Sequence, residues 1–436
     1  MRYGIPVLLM ICLLGSCRNE PESTTYMTPE RALYYFNSIR EICDSDGGHL
    51  WGKDLCIPVM FVERESRRII ASAPDADGLL KPKEGVYTGL YPKEKILDVI
   101  ATEYGNTMFA MVPVPARDDE YRIKAYAFHA FTHAMQKSKG ISPRSFNNRH
   151  MNERNARMWL KLEWKALHKA ISAEEEEFRD QAIRDALIFR GARHEAYPAF
   201  VNDELRFENY EGLATFTYTR LCTQSKEEQR QRLLAGINEY YRYRSFGQTF
   251  GFVHGALYAF LLDEKGFSLS VLDADNADLG KLTAELYNIT MPDIIRDVAG
   301  SIAINYEIDT IREEEYERET RIKEAVNKEL SAFTEKPVVF FELQSPAFGF
   351  EPDDPNTLDT LGTIYKSLRV SDNWGKLVVN ETGCLVSHNL KELRVPAKNV
   401  KISRHHATGD DWNLLLNDNW ELVKVDQNYY VRRPEP

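Results

Sequence analysis

Residues 126–136 read YAFHAFTHAMQ. The run is apolar apart from His129, Thr132, His133 and Gln136, and its residues are good helix formers. A spacing of four puts the imidazoles of His129 and His133 one above the other on a single helical face. That is the two-histidine half of an H-E-x-x-H pattern, in which two imidazoles ligate zinc and the glutamate after the first histidine takes a proton from the bound water. The glutamate position is Ala130. The stretch therefore predicts a helix that keeps two metal ligands and lacks the general base, within a mainly helical domain.

A third ligand is sought on a later helix, as in gluzincin-type sites, where the local sequence resembles E-G-[LF]-[AT]-x-[YF]. FENYEGLATFTYTRL at 207–221 supplies Glu211 in that pattern. Two neutral imidazoles and one carboxylate would leave a position open for water on a zinc ion. Glu208, three residues earlier, is expected on the same helical side and is the only substitute base the sequence suggests. The competing expectation is a metal-free polar network in which His129 and His133 are satisfied by Glu208 and Glu211. His254, in the apolar run GFVHGALYAFLLD, is a weak candidate for stabilising an oxyanion, with packing the simpler role. Tyr241 and Tyr243 are expected in the cleft wall, at the surface or in packing.

Outward from the histidine helix, a helical pattern at 29–42 precedes short β-type runs, IPVMFV, RRIIASA, ILDVIA and TMFAMVPV, separated by turns. After 139, amphipathic helices are predicted at 152–173, 174–192, 198–223, 226–241 and 250–263. EEEEFRD from Glu174 reads as an acidic first helical turn. The charged run IDTIREEEYERETRIKEAVNKELSAF is expected to be a solvated connecting helix. Beyond Lys336 the pattern changes to alternating β-type runs. The fold expected is α+β: a helical domain with a small sheet at 17–335, then an all-β domain at 336–436. His405, His406, Asp410 and Asp411 share a metal site's composition only and read as a loop. Trp374, Trp412, Trp420, Tyr429 and Tyr430 are either core residues or a sugar-stacking platform.

The first sixteen residues, with Arg2 ahead of an apolar run from Ile5 to Leu14, read as a secretory signal. Leu14, Gly15, Ser16 and Cys17 resemble the bacterial lipobox, which implies lipid on Cys17 and attachment of the protein to a bacterial membrane. Arg18 in place of an aspartate favours the outer membrane. The formal charge is −11, and about −12 once Arg2 is removed, which disfavours nucleic acid as a partner. Cys43 and Cys56 flank the turn DSDGGHLWGKDL and are read as either a disulfide or two free thiols. No CxxC pair, phosphate loop or G-x-S-x-G elbow is present.

The segments LWGKDLCIPVMFVE, TGLYPKEKILDVIATEYGNTMFAMVPVP, AFHAFTHAMQ, NNRHMNERNARMWLKLEWKAL, FRGAR and FENYEGLA follow one another much as in exported, zincin-like HExxH proteins found among lipoproteins of gut-type Bacteroidetes. The resemblance covers most of residues 44–270 and extends loosely to GTIYKSLRVSDNWGKLVV. It implies that His129, His133 and Glu211 match the ligands and that Ala130 replaces the base. The expected function is a degenerate metallopeptidase-like envelope lipoprotein, non-catalytic, holding a zinc ion or a peptide. An active zinc hydrolase with an unconventional base, and a glycan- or protein-binding module acting through the β domain, are the alternatives.

Overall fold

The computed structural model describes residues 24–25, 27–95, 97–114, 116–117, 119–141, 146–272, 276–349, 356–358, 361–381 and 383–434. The first sixteen residues, read as a secretory signal, and Cys17 lie outside them. The architecture is α+β, with helices and one mixed sheet in the N-terminal part and two antiparallel-rich sheets in the C-terminal part.

Helix α1 (Pro29–Asp46) starts at Thr28, whose hydroxyl accepts from the Arg31 amide, and stops at Gly47 in the left-handed conformation. Cys43 near its end is disulfide-bonded to Cys56, tying the helix to the chain entering the sheet. The sheet runs in the order 81–83, 86–90, 68–71, 59–63, 107–114, 100–104. Its central strands, Val59–Glu63 and Thr107–Val114, are parallel to each other, and the remaining pairs are antiparallel. Alternation along Val59–Val62 sends Val59 and Phe61 into the main core and Met60 and Val62 into a small core on the other face. The run ILDVIA only partly forms a strand, which begins at Ile100 and continues to Tyr104.

Strand 100–104 is the sheet's edge, and helix α2 (Glu120–Ser138), which carries the histidines, packs beside it and its neighbour. The main helical core then follows: α3 (Arg154–Ser172), α4 (Glu176–Ala196), α5 (Val201–Phe207), α6 (Leu213–Leu221), α7 (Lys226–Tyr240) and α8 (Phe250–Glu264). Almost every residue of α8 is buried, so it forms the centre around which the others pack. Two short helices, α9 (Leu279–Leu286) and α10 (Ile295–Ile302), fall in a stretch with no predicted element. The charged helix α11 (Ile308–Thr334) leads to the first C-terminal strand at Val338.

The C-terminal sheets have six and seven strands and enclose a separate core that includes Phe341, Trp374, Leu377, Leu393, Trp412 and Leu414. Trp374 and Trp412 are thus interior residues, each donating its indole N–H to a backbone carbonyl, of Glu342 and Pro396 respectively. For these two rings the core expectation holds, since buried rings offer no stacking face, whereas Trp420 and Tyr429 are partly buried and Tyr430 is exposed. Phe333 of α11 packs with Ile364 and Leu385, and the Gln248 amide donates to the Tyr365 hydroxyl at 2.7 Å, so the two parts are in contact.

Candidate metal centre

Between α5 and α6 the chain makes a five-residue π-turn, Glu208–Gly212, instead of continuing as α-helix. Three glycines make room for it. A Cβ on Gly212 would stand 2.5 Å from the Gly255 Cα, and one on Gly255 would stand 2.3 Å from the Glu208 carbonyl oxygen. A Cβ on Gly251 would likewise meet the Phe207 ring at 2.7 Å. The backbone of α8 therefore touches the backbone of the π-turn, and this close approach sets the position of Glu211.

Glu211 faces the histidines across the gap to α2. The Nε2 atoms of His129 and His133 are 2.9 Å apart, and Glu211 Oε2 is 3.5 Å from each. Donor atoms held at about 2.0–2.1 Å from one tetrahedral zinc ion stand about 3.3–3.4 Å apart, close to the two histidine–glutamate separations and longer than the 2.9 Å between the imidazoles. His133 Nδ1 lies 2.8 Å from Gln136 Oε1, which suits an Nδ1–H donor and leaves Nε2 as a lone pair. Tyr210 stacks on the His133 ring and Phe252 lies parallel to the His129 ring.

The electrostatics favour a neutral His129 imidazole. Burial, reinforced by His133 and opposed by Glu211, pushes His129 down to about 3. Burial raises Glu211, but His133 and His129 outweigh it and hold the carboxyl below its ordinary value. Glu211 Oε2 is buried and makes no hydrogen bond. An orphaned carboxylate oxygen aimed at two imidazole nitrogens is the observation by which the donor set fits a cation. Without one, a His129 Nε2–H donating to His133 would satisfy the histidines and leave that oxygen unmatched.

Glu208 is elsewhere. It is fully buried and grips Arg190 through two bonds of 2.9 and 2.7 Å. A π-turn carries more than four residues per turn, so positions 208 and 211 diverge where an α-helix would align them. This corrects the expectation that Glu208 shares the face of Glu211, and with it the candidate base. His254 belongs to the same buried network. Its Nδ1 accepts from the Trp164 indole at 2.9 Å and its Nε2 is 3.1 Å from Glu163, which Arg193 and Tyr258 also bind. It is sealed in packing, away from the histidine pair. Tyr241 donates to Glu314 and Tyr243 to Glu239.

Several neighbours of the centre were not legible. Tyr240, one residue before Tyr241, shares an electrostatic environment with Tyr218 and Glu211, and burial pushes its phenol well up. Tyr218 lies beside His129 and is pushed up to about 12 by burial, so it remains a neutral hydroxyl. Asp98, in the loop before the edge strand, is raised by desolvation, with Glu211 adding to the shift. Its only sequence signal is its place two residues ahead of a strand that flanks α2. His405 and His406 lie in the β domain, where His406 meets Asn413 and Asp410 meets Lys398 and Asn399.

Among the described residues, His129, His133 and Glu211 are the one group of three or more His, Cys, Asp or Glu placed to hold a metal ion. No helix among them is long and apolar enough to cross a membrane. Comparisons with family models, with curated proteins and with solved structures find no match.

Proposed function

We propose that this chain is a cell-envelope protein built on a metallopeptidase plan, which holds one zinc ion through His129, His133 and Glu211 and binds peptide without cleaving it. The observation that carries the reading is the unsatisfied Glu211 oxygen facing two imidazole nitrogens at 3.5 Å. Bound there, zinc would supply Lewis-acid polarisation of a carbonyl. The residue that would turn this into hydrolysis is missing, because Ala130 is fully buried and has no proton to exchange. Peptide is the ligand favoured by the outer side of strand 100–104, which ends the sheet next to α2 and pairs with no further strand among the described residues.

Metal content decides the matter. Untagged protein lacking its first 17 residues is expected to carry about one zinc per chain by mass spectrometry, lost in a His129→Ala/His133→Ala variant. No zinc in the parent protein overturns the reading.

A second reading, an active hydrolase, draws support from Asp98 lying within the field of Glu211. If Asp98 is the base, zinc-loaded protein cleaves a fluorogenic peptide and Asp98→Asn abolishes cleavage while zinc is retained. Attachment to the envelope rests on the Leu14–Cys17 tetrad, and labelled palmitate incorporated by the full chain and lost in Cys17→Ser supports it.

A further inference from the structure

A depression of about 400 Å³ opens between α3, the end of α4 and α10, on elements that carry none of His129, His133 and Glu211. Asn155, Met158 and Trp159 reach it from α3, Ala196 and Tyr197 from the end of α4, and Arg296 from α10. Small-molecule sites occupy about 300–1,000 Å³ and set a few convergent polar groups in an apolar lining. This one has that make-up.

Its walls are braced from behind. The Trp159 ring lies near-parallel to Phe189 at 6.3 Å, and Phe189 meets the Tyr306 ring edge-on at 5.3 Å. His150, fully buried, packs 5.2 Å from the Tyr197 ring. Helix α10 is seated on α4 where a glycine makes room: a Cβ on Gly191 would stand 3.0 Å from Cδ1 of Ile295, the residue before Arg296. Met158, Trp159 and Tyr197 are each half-buried, so their apolar surface is fixed in place and still reachable.

The polar groups of the lining are mostly donors without acceptors. Trp51, Trp164, Trp374 and Trp412 all donate their indole N–H within the protein. Among the described residues, the Trp159 indole N–H, the Asn155 amide and the Arg296 guanidinium make no hydrogen bond or ion pair. An indole and a guanidinium can donate and cannot accept. No carboxylate lines the depression, and Arg296 is its one charged side chain. Burial, with the Glu153 carboxylate adding to it, pushes Tyr197 up to about 12, so Tyr197 contributes a neutral ring.

We propose that this depression binds a small amphipathic carboxylate, with its flat apolar body against Trp159, Met158 and Tyr197 and its carboxylate on Arg296. The planar fork of a guanidinium matches the two oxygens of a carboxylate, and the Trp159 N–H and the Asn155 amide are further donors for the same group. A phosphate dianion would call for a second cation, which the lining does not supply. The site stands apart from the metal centre and does not need it.

The test follows indole N–H signals of isotope-labelled protein lacking its first 17 residues by nuclear magnetic resonance. Its six tryptophans give six such signals, and the Trp159 signal is the one lost in Trp159→Phe. Naphthylacetate, its neutral isostere naphthylacetamide, acetate and naphthyl phosphate are titrated in turn. Naphthylacetate is expected to shift the Trp159 signal to saturation and to bind about tenfold more tightly than naphthylacetamide, which lacks the charge for Arg296. Acetate, which lacks the apolar body, is expected to bind more weakly still. Arg296→Gln, at an exposed position, is expected to lose about tenfold in affinity for naphthylacetate and to stay within about twofold of the parent for naphthylacetamide. The His129→Ala/His133→Ala variant is expected to bind naphthylacetate as the parent does, so loss of the metal leaves this site standing. Equal affinity for the acid and the amide, or a folded Arg296→Gln variant that binds like the parent, overturns the proposal. A shift confined to other tryptophans overturns the location, and tighter binding of naphthyl phosphate overturns the carboxylate.

Discussion

Gln136 Oε1 lies 2.8 Å from His133 Nδ1, and the same amide's nitrogen donates to the Asn209 and Tyr210 carbonyls at 3.0 Å each. One side chain thus fixes the tautomer of one candidate ligand, His133, and clamps the turn that carries another, Glu211. Outer partners of this kind affect metal affinity without touching the ion. Gln136→Ala is expected to lower zinc affinity about 10- to 100-fold, read by chelator competition, with helix content unchanged. Parent-like affinity would show that Gln136 only packs.

The glycines contacting the π-turn should invert the usual helical preference for alanine. In an open helical position Gly→Ala stabilises by up to about 1 kcal/mol. Gly300 of α10 has nothing within 4 Å of a built Cβ, and its alanine variant should gain that amount. Gly255→Ala places a methyl 2.3 Å from the Glu208 carbonyl oxygen and is expected to cost about 2–3 kcal/mol or more, with zinc lost as Glu211 shifts. Urea melts of the two variants measure the contrast, and equal midpoints would refute it.

Acid stability should depend on Glu204. Burial works against its charge, but Arg193, 3.1 Å away, and bonds with His150 and His194 outweigh burial and hold the carboxyl well below its ordinary value. A carboxyl depressed on folding stabilises fully above its unfolded pKa, about 4.3, and loses that contribution as pH falls toward the folded value. Glu204→Gln leaves Arg193 without one of its two buried carboxylate partners and should cost about 3–5 kcal/mol near pH 7. The gap between variant and parent urea midpoints should hold from pH 8 to 5 and narrow below about pH 4. A gap that narrows on the alkaline side would contradict the assignment.

Restoring the missing base tests whether the remaining site is intact. With zinc bound, Ala130→Glu is expected to raise cleavage of a fluorogenic peptide about 10²- to 10⁴-fold over the parent. Because position 130 is fully enclosed, the variant should also lose stability unless the new carboxylate turns toward the histidines. No gain in rate from a folded, zinc-loaded variant would show that more than the base is absent.

The α+β plan was legible because period and length agree: α2, α3 and α8 fall within one or two residues of the expected helices, and 107–114 is a strand throughout. The three ligand-type residues were legible by spacing. What misled was the assumption of one regular helix through 198–223, since composition does not reveal a π-turn whose cause is glycine on another helix. The same error put Glu208 at the site. Asp98 was invisible for a related reason. Its neighbours are brought up by packing between distant segments, and local pattern carries no trace of that.

Helix α8 and the π-turn make the third candidate ligand, Glu211, a matter of chain arithmetic. Each residue turns an α-helix by about 100°. Deleting one residue between 208 and 212 would let the segment close into regular α-helix and rotate everything before the cut against everything after it. Deletion of Asn209 spares every acid and histidine of the centre, yet Glu211 and the Arg190–Glu208 clasp could not both keep their bearings. Such a shortened chain, unchanged in every ligand-type side chain, is a way to erase the centre that no point substitution reproduces.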